Sequence, residues 1–494
     1  RDELAALGQP LVVRHGDAVE VLRELIRRHP TAQVWSHQET GNAWTFARDR
    51  AVDAMLRERG VSWHQLRQHG VVRGRHDRDR WSQQWERLMR KPLCAPPALT
   101  PLANTVPGTL PDWPTDALAR DGLDGPVLAS RATLELARIV LADSAALQEE
   151  DATYAQRGGW SKHSPPRPLY DRTDVDRLRP LMRPIDFGQP SRLGSLDVRL
   201  TPAGHILGSA VATVTTSAGR VVLSGDLGRP GHPLLREPPA RPDGEVVLVE
   251  STYGNRRHAS DPDGQLADAL SRCLRRGGVA IVPAFAVDRT EVLLVVLHEL
   301  MESARVPTLP VFVDSPMALR VLDVYRDAMR AGDPEVCRSP LPDGEEFSFD
   351  PGGGLHECPT VEDSKSLNAL TAPAIIISAS GMASGGRVLH HLSRLLPHHR
   401  NSVVLCGFQA AGTRGRQLAD GTRSVKMLGR YVPVRAEIDV LRSLSVHADA
   451  DELTAWVHGV PGEPRTVFVV HGEFDASDAL AERLVADGLH AVVP

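Results

Sequence analysis

Apolar residues fall into two spacings along the chain. Near the start, short apolar runs at Leu11-Val-Val13 and Val34-Trp-Ser36 alternate with segments of helical period. In Asp17–Arg28 the apolar positions Val19, Leu22 and Ile26 share one helical face, and Asp17 is a natural N-cap. Thr45–Arg59 reads as the next helix. This βαβα order predicts part of a parallel sheet. From Pro97 to Gly125 the chain is rich in Pro and Gly and loses its period, so it reads as a seam. Beyond it, strand runs recur at Pro126–Ala129, Leu196–Leu200, Val211–Val214, Arg220–Leu223 and Glu245–Val249. The middle ones alternate like antiparallel strands, with a turn at Ser217-Ala-Gly219. From Asp263 onward helices again alternate with strands. Gly278–Val282, Pro310–Val313, Ala374–Ser378 and Ser402–Cys406 are continuous apolar runs, the pattern of strands buried on both faces. Gly332–Asp363 is loop-rich.

At 494 residues the chain is long enough for two or three domains. Six of its eight tryptophans lie before residue 114, which marks the first segment as a different piece. A net charge of -5 gives no global nucleic-acid signature, so any such surface is local. The five cysteines are scattered with no CxxC pair, which argues against a disulfide framework and favours a reducing cytoplasm. No apolar run approaches the ~20 residues of a membrane span.

Five polar motifs follow apolar runs, where an α/β sheet presents side chains to a crevice. They are Thr201-Pro-Ala-Gly-His205, Ser224-Gly-Asp226, Glu250-Ser-Thr-Tyr-Gly254, Ser445-Val-His447-Ala-Asp449 and Val470-His471-Gly-Glu473. Taken singly, each is an ordinary turn or capping residue. His205 and His471 sit where an imidazole can turn toward a metal. The Asp226 carboxylate offers one oxygen to each of two cations. His447 can protonate a leaving oxygen, with a carboxylate holding its other nitrogen. Glu250, alone, reads as a cap or an ion-pair partner.

In this order, and with Leu147-Gln-Glu-Glu150, Gly228-Arg-Pro230, Val287-Asp-Arg-Thr290, Val313–Ala318 and Ser380–Gly386, the motifs carry a resemblance. Residues 116–494 resemble the β-CASP branch of the metallo-β-lactamase superfamily, which includes RNA-processing nucleases. The resemblance implies an α/β fold, a lactamase-type αββα sandwich with an inserted β-CASP domain. It implies a lactamase-like part over 116–255, a β-CASP insert over 256–430 and a closing lactamase-like part with the RNA-metabolising motif over 431–494. It implies a zinc-dependent ribonuclease acting on single-stranded RNA, with two zinc ions, and a possible homodimer without membrane attachment. His205 matches a ligand of the first metal, Asp226 the bridge and His471 a ligand of the second. Glu250 and His447 match the acid and histidine beside the scissile phosphate. Lys162, His163, Arg289 and Arg387 are candidate phosphate contacts that read equally well as surface charges.

The family's HxHxDH motif should lie upstream of Ala117-Leu-Ala-Arg-Asp121, and no such run occurs in these 494 residues. Each of two metals is then left with about two protein ligands, where zinc sites normally use three or four. In its place, residues 1–115 resemble part of the photolyase and cryptochrome antenna domain, a Rossmann-like α/β segment. The resemblance rests on Leu11–Asp17, Trp35–Asp49 and Gln68–Val72, and no flavin is expected with it. Three expectations follow: an RNA hydrolase impaired by its missing ligands, a silent RNA- or protein-binding homologue, or a chimeric gene product joined near Asp116. An incomplete sandwich should also expose apolar edge strands unless the antenna-like segment covers them.

Overall fold

The computed structural model describes residues 18–29, 31, 33–37, 43–66, 125–158, 165–166, 168–258, 262–337, 349–352, 354–410, 412–441, 444–459 and 462–494, without the side chains of 37, 43–47, 66 and 262. The expected strand at Leu11–Val13, the cap at Asp17, the seam, and Cys94, Lys162 and His163 lie outside them. The chain forms two compact units, Arg1–Thr115 and Asp116–Pro494.

In the first unit, the helices Ala18–Arg28 and Ala43–Glu58 accompany a parallel strand pair, Gln33–His37 with Ser62–Leu66. Val52, Met55, Leu56 and Val61 form its buried centre, with Val19, Leu22 and Ile26 packed against it from one face of the first helix.

The second unit holds two large sheets. The seven-stranded sheet runs, from edge to edge, Ala491–Val492, Thr466–Val470, Val246–Glu250, Gly219–Leu223, Ala210–Thr216, Leu196–Pro202 and Pro190–Leu193. Its first four strands are mutually parallel and the rest alternate in direction. Period-2 alternation sorts its residues onto two faces. Val211, Val222, Val247, Val249, Val467 and Val469 are buried in one cluster with Leu453, Trp456, Val457, Leu480 and Leu484 of the helices Ala450–His458 and Phe474–Ala486. On the other face, Ala212, Val214, Val221, Leu223, Leu248 and Phe468 are only half-buried. The sandwich implied by the resemblance would lay a second sheet there. Among the described residues that part of the fold contains only one further pair, Val127–Ala129 parallel to Met182–Pro184.

The six-stranded sheet is parallel throughout, in the order Leu355–Glu357, Val311–Val313, Ala374–Ser378, Val279–Pro283, Ser402–Cys406 and Glu437–Leu441. Its three central strands are buried at every position, as their unbroken apolar runs require. Helices flank it, among them Arg289–Glu302, which is buried along most of its length. Chain order reverses around Val279–Pro283, whose two neighbours are both later strands. Crevices form at the carboxyl ends of strands at such a point. The loops leaving Val279–Pro283, Ala374–Ser378, Ser402–Cys406 and Glu437–Leu441 all contribute to one cleft, which also receives loops from the seven-stranded sheet.

Candidate metal and proton-transfer site

All five polar motifs line this cleft, through His205, Asp226, Thr252, His447 and His471. The topology explains why. The strands before Asp226, Glu250 and His471 are parallel neighbours, so their carboxyl ends lie along one edge of the sheet. The strand before His205 points the same way, because two antiparallel steps separate it from Gly219–Leu223. His447 arrives from the far side, past the last strand of the six-stranded sheet, and its chain bridges to Gly228.

Asp226 lies between two histidines. Its Oδ2 is 3.8 Å from His205 Nε2 and its Oδ1 is 3.3 Å from His471 Nε2. The His205 and His447 rings lie 4.2 Å apart between centroids. Ligand atoms of His205, Asp226 and His447 all fall within 4.8 Å of one another. Burial, and secondly the neighbouring His447, push the His205 imidazole down to about 4 against the pull of Asp226. His205 is therefore neutral at pH 7, the form that ligates a metal. Its Nδ1 is buried and has no hydrogen-bond partner. His471 adopts a left-handed backbone, φ +59°, a sparsely populated conformation for a non-glycine residue. The following Gly472 is obligatory in this packing, since a Cβ there would lie 2.3 Å from Ser251 Oγ.

Behind this group, buried Glu250 holds His447. The His447 Nδ1 to Glu250 Oε1 distance is 3.2 Å. Glu250 also accepts from the backbone N–H groups of Leu227 at 2.7 Å and Thr252 at 3.1 Å. Burial alone would raise the Glu250 carboxyl, but His447 and these donors override it and hold the group below the usual range. Glu250 thus stays ionised, and favours the Nδ1–H form of His447 that leaves Nε2 free.

The remaining candidates separate. Arg289 lines the cleft and is buried. Arg387 does not line it. Its guanidinium donates to Asp314 Oδ1 at 2.7 Å and to the carbonyls of Cys358 and Pro359 at 2.8 and 3.0 Å. Three further residues were not singled out from the sequence. His258 Nε2 is 2.8 Å from the His447 carbonyl, and its N–H donates to Asp449, the N-cap of Ala450–His458. Phe285 and Phe408 supply aromatic cleft wall. His258, eight residues after Glu250, was visible as a histidine beside a motif; the aromatics stand in loops that carry no pattern of their own.

Residues 290–418 match the Beta-Casp domain model, and 431–494 match the Zn-dependent metallo-hydrolase RNA specificity domain. The chain is 35% identical over 373 residues to "Ribonuclease TTHA0252" of Thermus thermophilus, covering 75% of this chain and 80% of that protein. The chain belongs to the β-CASP metallo-β-lactamase family of RNA-processing hydrolases. It is also 29% identical to the "Transcription termination factor FttA" of Pyrococcus abyssi, over 71% of this chain and 53% of that one. An "RNase J-like protein" of Methanocaldococcus jannaschii is 29% identical, over 55% of this chain and 62% of that protein. The chain thus spans only about half the length of the archaeal termination factor. Residues 1–79 match the DNA photolyase model. The family uses a metal cofactor and acts on RNA. Among the described residues no helix is long and apolar enough to cross a membrane.

Proposed function

We propose that this chain is a zinc-dependent hydrolase of single-stranded RNA whose metal centre carries a reduced ligand set. The observation that carries this reading is the placement of Asp226 between His205 and His471, with the His447–Glu250 pair alongside. The donor set suits zinc, being nitrogen and carboxylate oxygen without thiolate. His205, Asp226 and His471 would hold the ion. A divalent cation there supplies Lewis-acid polarisation of the phosphodiester. Glu250 stays ionised and fixes the His447 ring through Nδ1. With Nδ1–H held by Glu250, a ring that also carries a proton on Nε2 can give that proton to the departing oxygen and return to the neutral Nδ1–H form. Buried Arg289 faces the same cleft as a phosphate partner. The expected setting is the cytoplasm; homodimerisation is kept as part of this proposal.

A 5′-labelled single-stranded RNA incubated with the zinc-supplemented chain tests the reading. Cleavage is expected, and His447→Ala should slow it by about 10²–10⁴-fold with RNA binding retained. No cleavage by the zinc-loaded wild type sinks the hydrolase reading. RNA binding without turnover would then favour the silent homologue, for which the missing HxHxDH run speaks.

A further inference from the structure

The cleft extends past the histidines onto the six-stranded sheet, and there it is built unlike a metal site. Arg289 is only 6% exposed, yet its Nε and Nη1 have no hydrogen-bond partner. The adjacent Asp288 attracts it electrostatically but makes no hydrogen bond to it, its oxygens facing His232 Nε2 at 3.2 Å and the Tyr325 hydroxyl at 2.8 Å. A buried guanidinium with open donors is expensive unless an anion completes it. The guanidinium fork matches a phosphate's oxygens.

Beside it stands Phe285, two strand-end residues after Pro283 and 38% exposed. The ring lies over glycine backbone. A Cβ on Gly381 would come within 2.8 Å of it, and one on Gly407 within 3.7 Å. Only glycine at 381 lets the ring settle there, so the aromatic is supported from behind while its uncovered part fronts the cleft. Phe408 adds a second aromatic to the same wall. A flat apolar surface next to an anion socket has the two chemistries of a nucleotide. Bases stack on aromatic faces irrespective of sequence, and the neighbouring phosphate takes the cation.

We infer that Phe285 and Arg289 form a nucleotide subsite adjoining the metal-binding histidines, with the base stacked on Phe285 and its phosphate bound by Arg289. This rests on the RNA reading above, but not on turnover. Stacking on the Phe285 ring reads no base edge, so this contact tolerates any base. It would set how an RNA strand is registered across His205, Asp226 and His471.

The test is fluorescence anisotropy of the full chain with a 2′-O-methyl decauridylate, which resists cleavage, and with the same strand carrying abasic sites. Phe285→Leu should weaken the base-bearing strand by about tenfold and leave the abasic strand unchanged. Arg289→Met should weaken both by about tenfold and reduce the salt slope by roughly one. The melting temperature and far-ultraviolet circular dichroism of Arg289→Met separate lost binding from misfolding, and Arg289→Lys, which keeps a charge beside Asp288, should recover part of the affinity for both strands. Equal effects of Phe285→Leu on both strands, unchanged binding by Arg289→Met, or no binding by the wild type would each overturn the subsite. The cleavage assay reads separately: an uncleaved RNA that still shows the Phe285-dependent base preference keeps the subsite and removes the hydrolase.

Discussion

Two buried glutamates beside the cleft show how local partners decide a carboxyl's charge. Glu250 receives a histidine and two backbone N–H groups and is held low. Glu335 has one such donor, the Gly208 N–H at 3.1 Å. Burial pushes its carboxyl up to about 7, with Asp333 adding to the rise. Both states of the protein carry a protonated Glu335 below about pH 4.5. Between there and pH 7 the unfolded chain ionises while the folded one keeps its proton, so stability drains away as pH rises. With 1.36 kcal/mol per pH unit, the loss amounts to at most about 3 kcal/mol and levels off above pH 7. Glu335→Gln, which keeps an acceptor for Gly208 and cannot ionise, should be the more stable protein at pH 8 and lose its advantage at pH 4.5. Urea melts at both pH values measure this; an advantage independent of pH would contradict the buried neutral carboxyl.

At the scale of the element, the site depends on how closely two loops approach. Gly228, just after Asp226, lies against the loop that carries His205. Its N–H donates to the Ala203 carbonyl at 2.8 Å, and a Cβ on it would come within 1.9 Å of the Gly204 carbonyl oxygen. Gly228→Ala must therefore push the His205 loop from the Asp226 loop. A cost of about 2 kcal/mol or more is expected in a urea melt, together with weakened zinc binding in a competition titration with a chromophoric chelator. Full zinc affinity in this variant would show that the loops move independently. The strands that bring these loops together were legible in the chain. Ala374–Ser378 and Ser402–Cys406 are found as strands over the same residues, because an apolar run buried on both faces leaves a signal that no partner alters. Individual cations were not legible. Arg289 and Arg387 look alike in sequence, but Arg387 spends its donors on Asp314 and two carbonyls whereas Arg289, at the cleft, has two buried nitrogens without a hydrogen-bond partner. That distinction is set by tertiary packing of strand-end loops, which have no periodicity to read. The histidines were legible only as an ordered set. Their convergence on Asp226 required the parallel strand directions.

For the whole molecule, the number of metal ions is the quantity that links sequence and geometry. His205 and His471 each approach one oxygen of Asp226, and ligand atoms of His205, Asp226 and His447 lie within 4.8 Å of one another, with His447 also engaged by Glu250. The other three-donor group among the described residues, His258 with Asp449 and Glu452, is already spent: Asp449 caps its helix and accepts from His258, while His258 braces the His447 carbonyl. Zinc seeks three or four protein ligands. Two ions sharing Asp226 would have about one histidine each, whereas one ion can collect three ligands. The purified chain, loaded with zinc and dialysed against metal-free buffer, should therefore retain close to one ion per chain by plasma mass spectrometry. His205→Ala and His471→Ala should each release it, and His258→Ala should not. Chelation should lower the melting temperature, since an ion bound only by the folded state stabilises it by mass action. Two ions retained per chain would mean that ligands beyond these residues complete the centre, and none retained would leave the histidines converging on Asp226 for RNA contact alone.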